Sequence, residues 1–356
     1  MGSAGLDALS FLQAVCRKLA GGRIEMHIPD GFISAPVSAG AALPALGSLV
    51  AALARASRTL KERLVPFAGL TAAFIFVLQM LNFPVAAGTS GHLIGGALAA
   101  ILLGPWMGIV AVSVVVIVQA LLFADGGITA LGLNVLNMAV ITVGVAWPVF
   151  RLLSRLLPQR SAGVLVASMV AAWGSVPASS IGFAIEYWIG GQGGVDPGLV
   201  FSAMVGVHAL IGIGEGLITA AAIGAVLAVR PDLVAGAEGL GISVDDATTP
   251  SRVAVGSFVA AGVAVAVALV VFVAPFANPN PDGLERVAEN TGFLDTAQDH
   301  PIGGPLADYG VAGIDNPWIG TAVAGLIGTG ITFAAGMLLV GIVRRLRQRE
   351  QVPASR

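Results

Sequence analysis

One cysteine, Cys16, stands alone in 356 residues. No disulfide can close within the chain, and an iron–sulfur cluster or a thiolate zinc centre lacks its ligands. Charge is as scarce: Asp, Glu, Lys and Arg make up 11% of the residues, against about 25% in a soluble globular domain. Basic residues form only short clusters at the ends of apolar runs and the formal net charge is −2, so no nucleic-acid partner is expected. A GxxxxGK[ST] loop is missing, and with it that cradle for nucleotide phosphates. Histidine occurs only at His27, His92, His208 and His300. Any metal ion must therefore be held by nitrogen or oxygen, and no resident cofactor is expected.

Apolar surface is what the chain has in quantity. Hydrophobic residues reach 56% and the mean hydropathy is +0.90. Runs of about 20 apolar residues recur along the chain, the length that carries a helix across a hydrocarbon layer of about 30 Å. They lack the alternation of barrel strands. The expected fold is an all-α integral membrane protein, with a seven-helix bundle followed by two C-terminal transmembrane helices.

Spans are expected at 36–54, 65–81, 133–150, 161–189 and 199–229, with two short or tilted ones within 92–123 that break at Gly104-Pro105. These make up a domain over 26–229. A polar linker, 230–252, leads to a second domain over 253–345, with spans at 253–274 and 319–343 around an outer loop, 276–317, and then a tail, 346–356. The basic stretches at 55–63, 151–160 and 344–350 mark the cytoplasmic side. Residue 26 then lies outside and the carboxyl terminus inside.

Polar side chains within such spans are functional candidates by default. His208 and Glu215 are seven apart, two helical turns, and share one helix face. They are either a packing pair or, with Gln119, the lining of a proton or cation path in a stand-alone secondary transporter or channel. Gln79, Gln119, Asn134 and Asn137 are interhelical hydrogen-bonders or pore-facing groups. No nucleophile–base pair or two-carboxylate site marks the spans as a hydrolase. The segment 278–317 is rich in carboxylates with Arg286 as its only base. It is either a solvated loop or an ordered element that concentrates cations by its field, and His300 within it is expected to be solvated.

The dipeptide Met26-His27 gains a chemistry if Met26 is the first residue. Its α-amine, the His27 backbone nitrogen and the His27 imidazole then close fused five- and six-membered chelate rings, leaving one in-plane position. Square-planar coordination by four nitrogens suits Ni(II) or Cu(II), and Co(II) less tightly. His92 is the candidate fourth ligand, because both histidines lie at outer helix ends beside Gly and other small residues.

The stretches "MHIPDGFIS" (26–34), "GTSGHLIGGALAAILLGPW" (88–106) and "LGLNVLNM" (131–138) resemble the CbiM/NikM-type nickel/cobalt substrate-binding component of energy-coupling-factor transporters. The resemblance implies a metal site made by Met26, His27 and His92. Asp30, Ser90, His208 and Glu215 are expected around it or along a pathway. It also implies capture of Ni(II) or Co(II) as substrate at the bacterial or archaeal cytoplasmic membrane. A transmembrane coupling protein and two cytoplasmic ATPases would drive release, so the chain itself is no enzyme. Ala52 and Ala56 on the first span are candidates for the coupling face. "PDGLE" (281–285) is similar to the small accessory subunit of those systems, here fused, and implies a part in metal loading.

Residues 1–25 depart from that pattern, since an upstream peptide would acylate the Met26 nitrogen. They make a poor signal peptide, with Arg17 and Lys18 after the apolar part and no base before it. They are expected to be a gene-start artefact: codons for Gly21-Gly22 can read GGAGG, a ribosome-binding sequence placed shortly before the Met26 codon.

Overall fold

The computed structural model describes residues 26–59, 64–158, 160–237 and 252–350. The expected extension 1–25, most of the linker and the end of the tail lie outside the described residues. The fold is a helical membrane bundle with one two-residue hairpin, β1 Phe83–Pro84 against β2 Ser90–Gly91. In chain order the helices are α1 Ala35–Thr59, α2 Val65–Gln79, α3 Gly96–Leu103, α4 Pro105–Val118, α5 Leu131–Val135, α6 Thr142–Leu156, α7 Ser161–Gly190, α8 Pro197–Val229, α9 Arg252–Phe272, α10 Gly283–Thr291 and α11 Pro317–Glu350. A π-helical turn, Gln119–Phe123, ends α4, and another, Leu136–Ile141, joins α5 to α6.

Seven of these runs are long and apolar enough to cross a membrane. The remaining two expected spans differ instructively. The helix α2 has 15 residues, and α3 has eight, about 12 Å of helix. The latter is preceded by irregular backbone over 92–95, where Gly95 is left-handed at φ +87°. The chain reverses at Gly104, whose φ of +81° suits a residue without Cβ, and Pro105 opens α4. The break thus falls where Gly-Pro placed it, while the unwound start of the limb has no signature in hydropathy.

The C-terminal pair α9 and α11 packs chiefly on α2. A Cβ on Gly69 would stand 2.7 Å from Met337 Cγ and 2.8 Å from the Phe333 carbonyl, so glycine permits this close helix crossing. Ala52 and Ala56 are buried in the main core. They are not an exposed coupling face, and the apolar side chains that α1 leaves outward are Leu43, Leu46 and Val50.

The segment between α9 and α11 is ordered and folds over the end of the bundle that carries residues 26–34. Its helix α10 is capped by Asp282, whose Oδ1 accepts from the Glu285 amide at 2.8 Å. Phe293 packs edge-on against Phe32 with ring centroids 4.9 Å apart. His300 is buried there, not solvated, with neither ring nitrogen hydrogen-bonded; a polar loop sequence carries no sign that the loop folds back on the bundle.

Candidate metal centre

Two pieces of irregular backbone meet at this end of the bundle. The first is the strap 26–34. Asn134 holds Ile28 at two points, accepting from its N–H and donating to its carbonyl, both at 3.0 Å. The Asp30 carboxylate accepts from the amides of Ile128, Thr129 and Ala130 at 3.1, 2.8 and 3.2 Å, which caps the approach to α5. The turn at Gly31, φ +93°, brings the strap under the C-terminal segment, where the Gln298 amide donates to the Asp30 carbonyl at 2.7 Å. Backbone bonds from Ser34 to Gly190 and from Gln192 to Phe32 fix its far end.

The second piece is the limb 88–95, which carries His92. Unwound backbone at membrane depth must have its polar groups satisfied from within the protein. Glu215 does so from α8, accepting from Ile94 N at 2.8 Å and Gly95 N at 2.9 Å. Gln79 donates to the Ile94 carbonyl at 2.8 Å. On the outer side Ser90 donates from its hydroxyl to the Asn280 carbonyl at 2.8 Å and from its amide to the Pro281 carbonyl at 2.9 Å, and Arg286 donates to the Gly88 carbonyl.

Strap and limb bring Met26, His27 and His92 together, all buried. The His92 Nδ1 lies 3.2 Å from the Leu93 carbonyl, which fixes the proton there in the neutral ring and frees Nε2. That Nε2 stands 3.2 Å from the Met26 carbonyl and 3.4 Å from Asp282 Oδ2. The two imidazole centroids are 5.7 Å apart with their planes at 77°. His27 Nδ1, the nitrogen the chelate requires, faces Asp125: 3.3 Å from its carbonyl and 3.5 Å from its Oδ1. The Met26 nitrogen donates to the same Oδ1 at 2.9 Å. A Cβ on Gly126 would come within 2.8 Å of His27 Cβ, so that glycine gives the strap its room.

The two rings differ in charge. Burial pushes the His27 pKa down, more than neighbouring Asp125 lifts it, so this ring is neutral near pH 7. Burial opposes charge on His92 too, but its contact with Asp282 and that residue's charge outweigh it and raise the pKa to about 9. Among the described residues no group of three His, Cys, Asp or Glu side chains is arranged to hold a metal. The donor set expected from the sequence differs from such a group, since two of its four nitrogens belong to the main chain.

Of the surrounding residues expected from sequence, Asp30, Ser90 and Glu215 anchor backbone. His208 bonds the Met204 carbonyl through Nδ1 at 2.8 Å and lines the small cavity that Met26, His27, His92 and Asp282 also line. Asn137 pairs with Glu186 at 2.7 Å. Sequence reasoning missed Asp125 and Tyr309 and assigned no role to Asp282. The available signal was an acid in the Gly-rich loop of a chain that has few acids; their partners are about 100 to 190 positions away.

Residues 27–233 match the family described as the cobalt uptake substrate-specific transmembrane region. The chain belongs to that family. Residues 256–345 match the PDGLE domain. A protein of Archaeoglobus fulgidus named as a fused nickel transport protein, NikMN, is 37% identical over 90% of this chain and 99% of its own length. The fused nickel transport protein NikMN of Rhodobacter capsulatus is 37% identical over 46% of this chain and 47% of its own. A crystal structure of a truncated transition metal transporter superposes with a TM-score of 0.51 at 30% identity, covering 57% of this chain and 99% of that one. The chain is thus a multi-pass membrane component of metal uptake rather than an enzyme.

Proposed function

We propose that the chain captures Ni(II) or Co(II) from the outer side of the cytoplasmic membrane. The ion is held in a plane of four nitrogens: the Met26 amine, the His27 backbone and Nδ1 nitrogens, and His92 Nε2. The observation that carries this reading is the convergence of strap and limb, which places His92 Nε2 at the Met26 carbonyl and the His27 and His92 rings 5.7 Å apart. The names of the relatives support nickel or cobalt as the ion. In this reading Met26 is the amino terminus of the working protein and faces outward, the carboxyl terminus faces inward, and residues 1–25 are not translated or are removed. The chain consists of a metal-binding domain, 26–229, and a two-span accessory domain, 253–345. It is the substrate-specific part of an energy-coupling-factor assembly, whose coupling protein and two ATPases supply the work.

Two experiments test this. Mass spectrometry of the purified protein is expected to find Met26 at the amino terminus, and a peptide running across Glu25-Met26 would refute the chelate. Nickel uptake is expected to require the ATPases; undiminished uptake in cells lacking them would instead favour a secondary transporter.

A further inference from the structure

The Met26 nitrogen of the proposed plane donates to a side chain from outside the strap. That side chain is Asp125, and its orientation is set from the C-terminal domain. Asp125 Oδ1 accepts from Met26 N at 2.9 Å, and Oδ2 accepts from the Tyr309 hydroxyl at 2.7 Å. The Tyr309 oxygen accepts in turn from Gln119 Nε2 at 3.0 Å. An amide NH2 can only donate, so the tyrosine proton must point at Asp125. Tyr309 is itself fixed: its ring lies 4.9 Å from that of Phe123, and the Leu306 amide donates to the Leu122 carbonyl at 2.8 Å. On the far side, Met26 and Tyr309 share the wall of a cavity of about 340 Å³ that also reaches Asn82 and Asn278.

We propose that Tyr309 and Asp125 are positioning residues of the metal centre: Tyr309 locks the Asp125 carboxylate so that a single oxygen faces Met26 N and His27 Nδ1. This rests on the metal-centre reading above. With one oxygen occupied by tyrosine, the carboxylate orients nitrogen donors and places a negative charge beside the cation without turning into the plane as a rival ligand. The PDGLE domain thereby shapes the half of the site that carries three of its four donors, although it contributes none of them. Freed from Tyr309, Asp125 can rotate and replace nitrogen by oxygen around the ion.

The test uses the purified full-length protein, its amino terminus verified by mass, titrated with Ni(II) while the ligand-field absorption is recorded. Tyr309→Phe is expected to weaken Ni(II) binding by about tenfold and Asp125→Asn by about tenfold or more, the range for residues that orient metal ligands. Both are expected to shift the absorption band, which a loss of stability alone would not do. The double variant is expected to bind no worse than Asp125→Asn, because Tyr309 acts through Asp125. Unchanged affinity and band in Tyr309→Phe, or additive losses in the double variant, would overturn the proposal. His92→Ala is measured in parallel. If it retains full binding, the metal centre itself is refuted; if it loses binding while Tyr309→Phe does not, only the role of Tyr309 falls.

Discussion

The strap and the limb are both irregular backbone buried at the same end of the bundle, yet they satisfy their polar groups differently. The strap turns the amide and carbonyl of Ile28 to the Asn134 side chain, and its own Asp30 carboxylate to the amides of the neighbouring loop. Its histidine is left neutral by burial. The limb is gripped from within the membrane by Glu215 and Gln79 and from above by the PDGLE segment. Its histidine faces a carboxylate and carries a proton. The buried carboxylates Asp30 and Glu215 serve as partners for backbone amides. Only Asp125 and Asp282 also touch the proposed ligands, and their contacts separate the two halves in charge.

The sharpest way to break the comparison is to remove the limb's single donor. His92→Ala leaves the strap with three nitrogens and an open fourth position. Equilibrium Ni(II) binding is expected to weaken by about a hundredfold or more, at the upper end of what even the groups orienting metal ligands cost. Affinity within a few-fold of the unaltered protein would mean that the limb contributes no ligand.

A second effect separates the halves by pH. A protonated imidazole cannot bind a metal, so below about 9 the ion must displace the His92 proton. Apparent Ni(II) affinity is expected to fall about tenfold per pH unit for that proton between 9 and 6.5, in addition to what the amine contributes. Asp282→Asn removes the group that raises this pKa and is expected to flatten the slope by one proton over this range. The sign for stability is opposite. The His92–Asp282 pair stabilises the metal-free fold fully below the free-histidine value of about 6.5, and that contribution is lost as pH rises through about 9. Titrations at several pH values, with thermal unfolding of the metal-free protein alongside, check both. An unchanged slope in Asp282→Asn would remove Asp282 from the limb's electrostatics.

Which parts of this were legible beforehand follows from range along the chain. Long spans and the reversal at Gly104 are written locally, in apolar runs and a Gly-Pro step. Met26, His27 and His92 could be singled out because a chain with four histidines offers few ligands. Tyr309 and Asp282 could not, since each acquires its partner only when the segment 278–310 folds over the bundle, and Asp125 could not, since Met26 lies 99 positions away. Ala52 and Ala56 misled because their spacing suits an outer contact and an inner one equally. His300 misled because polar composition does not report burial.

The role of Glu215 gives the smallest and most discriminating prediction. Read from sequence, a carboxylate two turns from a histidine within a span suggests an ion path. In the fold both its oxygens are taken by the amides of Ile94 and Gly95, and the residue has no exposure. Glu215→Gln keeps the shape but leaves one acceptor, and its NH2 meets an amide that also donates. The loss of one charged hydrogen bond is expected to cost about 1.5–3 kcal/mol of stability, read in denaturant or thermal unfolding. Ni(II) affinity is expected to fall only a few-fold, less than the roughly tenfold and larger changes expected for residues bonded to a ligand, because Glu215 acts on His92 through two intervening residues of backbone. The ion-path reading expects the reverse pattern: stability near that of the unaltered protein, binding intact, and uptake abolished. A Glu215→Gln protein that is stable but does not transport would therefore place the carboxylate in a conduit and undo the account of the limb as anchored backbone.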